Sequence, residues 1–353
     1  MAKIYQTLRQ VESVKPETSA QLPETFEQAV RRVENFALIE TQKSAYQKQL
    51  YYHNCIHING VKQRAVKIFQ AIIPLLQENF DSETGQAQLT RMKQLLELSA
   101  VAHDMVQEFI PQTQPGTPRL REIGVNEAAT ISKLITYIEE LNQQLLQQNP
   151  NSTAIFTESD IQTLKEAIEA TVCLFDPSDS SLYQLLLYKP EQEISLVALI
   201  LALADLGTLG MEGIEAYQEE GSLILLEENP DIISALWDEN TQQIVVEYDT
   251  ADKEKQELYE SIRQRLLKRV RFQVNFAKGR YSRFDREVKP LSSETIQALK
   301  NDVFKYLTKE TIQEIEMLTP TRDETTLQEL VEFFQLEKYI KERQPKLSCQ
   351  SIV

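Results

Sequence analysis

The chain has 353 residues, and its formal net charge of −16 gives a sequence pI near 4.9. A field of this sign repels polyanions, so the charge disfavours non-specific binding to nucleic acid or to an anionic membrane. The three cysteines, Cys55, Cys173 and Cys349, form no CxxC pair, which suits a reducing compartment. Because the first residues also lack an apolar core of the signal-peptide type, we expect a cytoplasmic protein.

Composition and periodicity predict an all-α fold with little or no sheet. Only 9 glycines occur among many leucine, glutamine and glutamate residues, which favours helices over strands. We expect an N-terminal arm over residues 1–22, a helical domain over 23–285 and a C-terminal helical extension over 286–353. The spacing of apolar residues predicts helices at about 25–51, 57–79, 88–109, 125–147, 158–173, 181–188, 192–209, 211–227, 251–278, 293–306, 308–318 and 325–341.

The most apolar stretch of the chain, ISLVALILALADLGTLGM, runs from Ile194 to Met211. It is interrupted by Asp205 and is shorter than the roughly 20 apolar residues that cross a bilayer. We therefore expect a buried core helix here and no association with a membrane.

The three histidines of the chain lie in two short neighbourhoods. In YYHNCIHINGV, His53 and His57 are four positions apart, so a helix would project both imidazoles from one face. In LLELSAVAHDMVQEF, His103 and Asp104 are predicted to lie in the middle of an apolar helix.

Two aspartates pose an electrostatic problem because their neighbours are apolar. Burial of an ionised carboxylate without a partner costs several kcal/mol, and both Asp104 and Asp205 lie within apolar segments. A cation shared by these aspartates, His57 and His103 would compensate both charges. The mixed nitrogen and oxygen donors suit a divalent Mn, Fe, Ni, Zn or Mg ion. The alternative is that each group is a separate core residue satisfied by backbone carbonyls or an arginine.

The order of these residues resembles the H…HD…D pattern of the HD superfamily of metal-dependent phosphohydrolases. His57, His103, Asp104 and Asp205 match the metal ligands, and the resemblance covers about residues 25–210. YYHNCIHINGV also resembles the segment of the phosphodiesterase branch in which the earlier histidine, here His53, is the general acid. The resemblance implies an HD-domain helical bundle with additional C-terminal helices. It also implies hydrolysis of a small phosphate ester or nucleotide by a metal-activated water.

The chain departs from relatives of this superfamily at two points. Gly60 stands where the phosphodiesterase segment has an aspartate. The chain has no fourth histidine, which excludes the histidine-rich di-iron site of oxygenases similar to inositol oxygenase. Supporting carboxylates would have to come from Glu108 or Glu127. Glu108 lies four residues after Asp104 and so on the same face of the predicted helix, whereas Glu127 opens a helix and is a candidate to bind substrate. The alternative for both is a solvated or capping role.

A basic segment from Arg263 to Lys289 carries a local charge of +8, against −24 in the rest of the chain. Within it, Lys278, Arg280 and Arg283 are candidates to bind the anionic substrate through charge-assisted hydrogen bonds. The alternative is a solvated helix face that pairs with the acids of the protein itself.

The sequence is compatible with two interpretations of function. The first is a metal-dependent phosphohydrolase with His53 as general acid. The second is a non-catalytic HD-type module that retains the metal and binds a nucleotide as a regulator. A helical scaffold without a metal is a third possibility, and metal analysis of the purified protein separates it from the other two.

Overall fold

A computed structural model describes residues 21–75, 82–114, 116–188, 194–238, 240–241, 243–246 and 252–341. Within these ranges the chain is predominantly α-helical, which confirms the predicted fold class. Residues 1–20 of the expected arm and 342–353 of the expected extension lie outside the described residues. None of the described helices combines the length and apolar character needed to cross a bilayer.

The elements are named here in chain order. The helices are α1 (Phe26–Lys48), α2 (Cys55–Ile72), α3 (Glu83–Ala102), α4 (Val125–Gln148), α5 (Glu158–Glu169), α6 (Leu196–Asp205), α7 (Thr208–Glu212), α8 (Ile214–Glu228), α9 (Asp231–Leu236), α10 (Lys253–Glu287), α11 (Ser293–Ala298), α12 (Lys309–Leu318), α13 (Leu327–Phe333) and α14 (Leu336–Lys341). Two antiparallel hairpins pair β1 (Cys173–Asp176) with β2 (Ser181–Gln184) and β3 (Trp237–Asp238) with β4 (Gln243–Ile244).

Helix α6 lies at the centre of the molecule. Its residues 197–204 are all buried, and it packs against α2, α3 and α5. A helix that is apolar on every side must be enclosed by other elements, which explains the most apolar stretch of the sequence. The Ser195 side chain caps its N-terminus by accepting from the amide of Ala198. Asp205 is therefore the residue at which the central helix ends.

The core has one part on each side of α3. One cluster joins α2, α3 and α6 with the end of α10 and the turn of π-helix at Leu299–Val303. A second cluster joins the opposite side of α3 to α1, α4 and α5. A third cluster is formed by the later helices and joins α8 and α9 to α10, α13 and α14. The segment after residue 286 thus packs directly into the core beside α2.

Helix α10 is longer than the sequence predicts. The predicted helix at 251–278 begins at Lys253 and continues to Glu287, a run of 35 residues or about 52 Å. The same helix contacts α8, α12, α13 and the β1–β2 hairpin. It therefore connects the central cluster with the C-terminal helices.

The predicted helix over 181–188 is wrong, because these residues form β2 and a turn of 3-10 helix at Leu185–Tyr188. Periodicity alone does not separate a short apolar run in a helix from one in a buried strand. The turn between the strands is stabilised by two aspartate side chains. Asp176 accepts from the amide of Ser178, and Asp179 accepts from the amide of Ser181.

Candidate metal centre

Four side chains predicted as metal ligands converge in the structure. His57, His103, Asp104 and Asp205 each offer one ligand atom, and these atoms lie within 4.8 Å of one another. The Nε2 atoms of both histidines lie 3.1 Å from Oδ2 of Asp104. Oδ1 of Asp205 lies 3.8 Å from Nε2 of His57 and 3.5 Å from Nε2 of His103. The cluster is thus capable of holding a single cation.

The ligands are supplied by the ends of three helices. His57 lies in the first turn of α2, where the Asn54 side chain caps the helix by accepting from the amide of Ile56. Asp205 is the last residue of α6. His103 and Asp104 were predicted within a helix, and this is wrong because α3 ends at Ala102 and the chain turns there. The turn lets two adjacent side chains reach the same point.

The hydrogen bonding of His103 indicates that the cluster requires a positive charge. Its Nδ1 lies 2.9 Å from the carbonyl oxygen of Ala100, which only accepts, so Nδ1 carries a proton. In the neutral ring, Nε2 then presents a lone pair to the carboxylates of Asp104 and Asp205. Nε2 is buried and makes no well-directed hydrogen bond among the described residues. A cation at this point would satisfy the lone pair and both carboxylates, so the residues fit a divalent metal ion.

Burial and the neighbouring charges together set the protonation of His57, Asp104 and His103. Burial lowers the pKa of His57, although Asp104 acts in the opposite direction, so the neutral imidazole is favoured. Burial opposes ionisation of Asp104, but the nearby imidazoles, His103 above all, hold the pKa of its carboxyl well below the usual range. Burial also opposes protonation of His103, but the two aspartates outweigh it and raise the pKa of that imidazole well above its usual range. Without a cation, a proton on His103 would serve as the compensating charge.

Buried amides hold the outer oxygens of both aspartates. Gln107 Nε2 donates to Oδ1 of Asp104 at 2.9 Å, and Gln184 Nε2 donates to Oδ2 of Asp205 at 3.3 Å. The other oxygen of each carboxylate faces the ligand cluster. Gln107 is itself held by Asn126, whose Nδ2 donates to Oε1 at 3.2 Å. Such outer contacts fix the orientation of metal ligands.

His53 lies at the edge of this cluster and is bound to a glutamate that the sequence analysis did not identify. Its Nδ1 lies 2.5 Å from Oε1 of Glu227, while its Nε2 lies 3.8 Å from Oδ2 of Asp104. The backbone amides of Tyr52 and His53 donate to Oε2 of Glu227 at 2.9 and 3.0 Å. Arg121 also pairs with Oε1 of Glu227. His53 itself precedes the N-cap of α2, so the two histidines do not lie on one helix face.

Glu227 is an anion inside the protein. Its side chain has no exposed surface. Burial opposes ionisation, but His53, Arg121 and the Tyr52 amide together lower the pKa of its carboxyl to about 2. The signal that could have identified it was the one that identified Asp104 and Asp205, namely an acid in an apolar helix, here LILLEEN.

Glu108 and Glu127, the two glutamates considered as supporting residues, differ in position. Glu108 lies beyond the end of α3 and pairs with Lys48 at 2.6 Å, so the prediction that it shares a helix face with Asp104 is wrong. Glu127 lies in the first turn of α4. Burial raises the pKa of its carboxyl, and the charges of Asp104 and Asp205 act in the same direction. Glu127 is therefore within electrostatic reach of the cluster, and its role in binding substrate stays a prediction.

Gly60 provides space for an arginine. A Cβ atom at this position would lie 3.3 Å from Nη1 of Arg64. Arg64 is buried, and its Nε donates at 2.7 Å to the carbonyl oxygen of Ala204, the residue before Asp205. The departure at Gly60 thus coincides with a buried arginine that supports the end of α6.

The three basic residues predicted to bind substrate are paired with acids of the chain itself. Lys278 lies 2.5 Å from Glu316, and Arg280 forms a fully buried pair with Glu287 at 2.6 Å. Arg283 contacts Asp176 and Asp179 in the turn of the β1–β2 hairpin. These contacts agree with the alternative considered for the basic segment, and a role of Lys278, Arg280 and Arg283 in binding substrate stays a prediction.

One cluster of side chains lies where α2, α3 and α6 end and α8 passes beside them. It contains the four candidate ligands, the two glutamines and the His53–Glu227 pair. No known protein-family model, curated protein sequence or solved structure matches this chain.

Proposed function

We propose that the protein is an HD-type, metal-dependent phosphohydrolase that acts on a small phosphate ester or nucleotide. The observation that carries this proposal is the pairing of His53 with Glu227 directly beside four convergent metal ligands. A scaffold that only bound a metal would have no need of a half-buried imidazole that is held by a buried glutamate next to it.

The ligands His57, His103, Asp104 and Asp205 would hold the ion, with Mn, Fe, Ni, Zn and Mg as candidates. When bound, a divalent ion of this kind polarises a phosphoryl oxygen and lowers the pKa of a coordinated water towards neutrality. Gln107 and Gln184 orient the two carboxylates through their outer oxygens. The order of the ligands along the chain, and the helical bundle that carries them, support the resemblance to the HD superfamily.

His53 is the proposed general acid, which protonates the departing oxygen of the substrate. A carboxylate only accepts hydrogen bonds, so the contact with Glu227 favours a proton on Nδ1 of His53. Nη2 of Arg121 lies 3.1 Å from the same Nδ1, but it also donates to Glu227. The opposite ring atom, Nε2, faces the cluster at 3.8 Å from Asp104. In the doubly protonated ring, the proton on Nε2 can be delivered to the departing oxygen of the substrate, which leaves the neutral ring with its proton on Nδ1. General acid catalysis of this kind is typically worth about 10²–10⁴ in rate.

The composition supports the remaining parts of the proposal. The net charge of −16 favours a small phosphorylated substrate over a nucleic acid.

One observation favours the alternative of a metal- and nucleotide-binding regulatory module. Arg64 occupies the space beside Gly60, where the catalytic phosphodiesterase segment has an aspartate. A regulator of this kind would bind a nucleotide and raise its own melting temperature without releasing a product.

The experiment compares metal content and turnover in wild type, His53→Ala and Asp104→Ala. The full chain is purified with Mn²⁺, analysed for bound metals and incubated with phosphomonoesters, phosphodiesters and cyclic nucleotides. We expect His53→Ala to retain the metal and lose turnover by about 10²–10⁴, whereas Asp104→Ala loses both. Equal loss of metal in both variants would contradict the role given to His53. Binding of nucleotide by wild type without hydrolysis would identify the regulatory module instead.

A further inference from the structure

Gln184 is a buried glutamine whose side chain has a single hydrogen-bond partner among the described residues. It is the last residue of β2, its surface is 0% exposed, and its Nε2 donates to Asp205. Its Oε1 has no hydrogen-bond partner within the described ranges, whereas Oε1 of Gln107 accepts from Asn126. Burial of an amide with an unsatisfied oxygen destabilises a fold. The donation to Asp205 is therefore the polar contact that compensates in part for burial of this amide, and its acceptor is a candidate metal ligand.

The hairpin that carries Gln184 is held against α10 by one arginine. Nη2 of Arg283 lies 2.9 Å from Asp176 and 2.5 Å from Asp179 in the hairpin turn. Its Nη1 donates to the Ser181 hydroxyl and, at 3.3 Å, to the carbonyl oxygen of Leu182. Arg283 thus contacts the turn and the first two residues of β2, so it fixes the strand at the end opposite Gln184.

Gly279 allows the hairpin to approach α10 this closely. A Cβ atom at this position would lie 2.7 Å from Nη1 of Arg283 and closer still to Oγ of Ser181. A larger residue would push the hairpin away from the helix. The absent side chain is therefore part of the same docking contact.

We infer that Gln184 is a positioning residue of the metal centre, which holds Asp205 so that Oδ1 faces the other ligands. Arg283 and Gly279 act at a distance by fixing the hairpin from which Gln184 extends. The inference rests on the metal centre of the proposed function, but it does not depend on whether a phosphate ester is hydrolysed. It gives a structural role to Arg283 that explains its acidic partners.

Metal affinity tests this inference directly. The variant Gln184→Met keeps the size of the side chain and removes the donor. Gln273→Met is a matched control, because Gln273 is also a buried glutamine, whose amide has no hydrogen-bond partner within the described ranges and lies against Gly221. Both variants and wild type are titrated with Mn²⁺ and Co²⁺ by calorimetry, and the visible absorption of the Co²⁺ forms is recorded.

We expect Gln184→Met to bind either ion about 10–100-fold more weakly, with a changed Co²⁺ spectrum, while Gln273→Met matches wild type. Arg283→Met should weaken binding in the same direction. Melting curves in chelator show whether each variant is folded. Wild-type affinity and an unchanged spectrum in Gln184→Met would overturn the inference, and so would equal weakening in Gln273→Met. Metal binding without hydrolysis by wild type would contradict the proposed enzyme but leave this inference intact, whereas no metal binding by wild type would overturn both.

Discussion

The imidazole of His53 lies 2.5 Å from the carboxylate of Glu227, although 174 positions separate the two residues in the chain. The carboxylate of Glu227 also accepts hydrogen bonds from the backbone amides of Tyr52 and His53. It therefore fixes both the ring and the backbone immediately before α2. The geometry of the proposed proton donor thus depends on a residue in α8.

Replacement of Glu227 by glutamine is expected to lower kcat without loss of the metal. The amide side chain can also donate to Nδ1, so it no longer holds the His53 ring in one orientation and tautomer. We expect kcat to fall by at least about tenfold and by no more than the 10²–10⁴ or so that general acid catalysis contributes. Steady-state kinetics with metal analysis of the same samples provide the measurement.

The neighbouring variant Glu228→Gln is the control, because Glu228 lies 3.8 Å from Arg269 and outside the His53 contact. In the double variant with His53→Ala, the effects should not add, since both changes remove one function. Fully additive losses, or loss of the metal from Glu227→Gln, would contradict the coupling.

The stability of the metal-free protein is expected to depend on Glu220 between pH 5 and pH 8. Burial raises the pKa of this carboxyl from 4.5 to about 7, although Arg64 acts in the opposite direction. The folded protein therefore binds the proton more tightly than the unfolded chain. The resulting stability is fully present below pH 4.5 and is lost as the pH rises towards 7.

In Glu220→Gln this dependence should disappear. Relative to wild type, the variant should gain about 2 kcal/mol in the free energy of unfolding between pH 5 and pH 8. Urea denaturation in chelator at both pH values measures the difference. Glu219→Gln serves as control, because Glu219 is half exposed and pairs with Lys338. A difference that is the same at both pH values would show that Glu220 does not titrate in this range.

Replacement of Gly279 by alanine is expected to destabilise the protein, although alanine is the better helix former. The added Cβ would meet Ser181 and Arg283, and overpacking of this kind typically costs about 1–3 kcal/mol. Gly60→Ala is the matched comparison in another helix. There the added atom would lie 3.3 Å from Nη1 of Arg64, a much milder approach than the contacts at Gly279.

Urea denaturation of both variants measures the difference. We expect Gly60→Ala to be neutral or to gain up to about 1 kcal/mol from helix propensity. Equal stability of the two variants would show that the hairpin does not depend on close docking at Gly279.

The two aspartates of the candidate metal site could be predicted because their signal is local. Asp104 and Asp205 each stand in an apolar run, and a buried charge requires compensation wherever the fold places it. The fully apolar stretch around α6 likewise had to form a buried helix. These inferences depend on burial alone and need no knowledge of which elements are neighbours.

The hairpin and the His53–Glu227 pair could not be predicted in this way. The run SLYQLLLY contains enough leucine to suggest a helix, but docking against Gly279 and Arg283 on α10 fixes it as a strand. Such tertiary contacts override local preference. Likewise, the acid in LILLEEN has no local signal that names His53 as its partner.

The length of α10 has a consequence for the smallest fragment that could work. All four ligands lie between His57 and Asp205, so a fragment that ended after α6 would contain every donor atom. It would lack Glu227, which binds His53, and Arg283, which holds the hairpin that carries Gln184. The segment that carries the recognisable pattern is therefore shorter than the unit that the proposed chemistry needs, which extends to the end of α10.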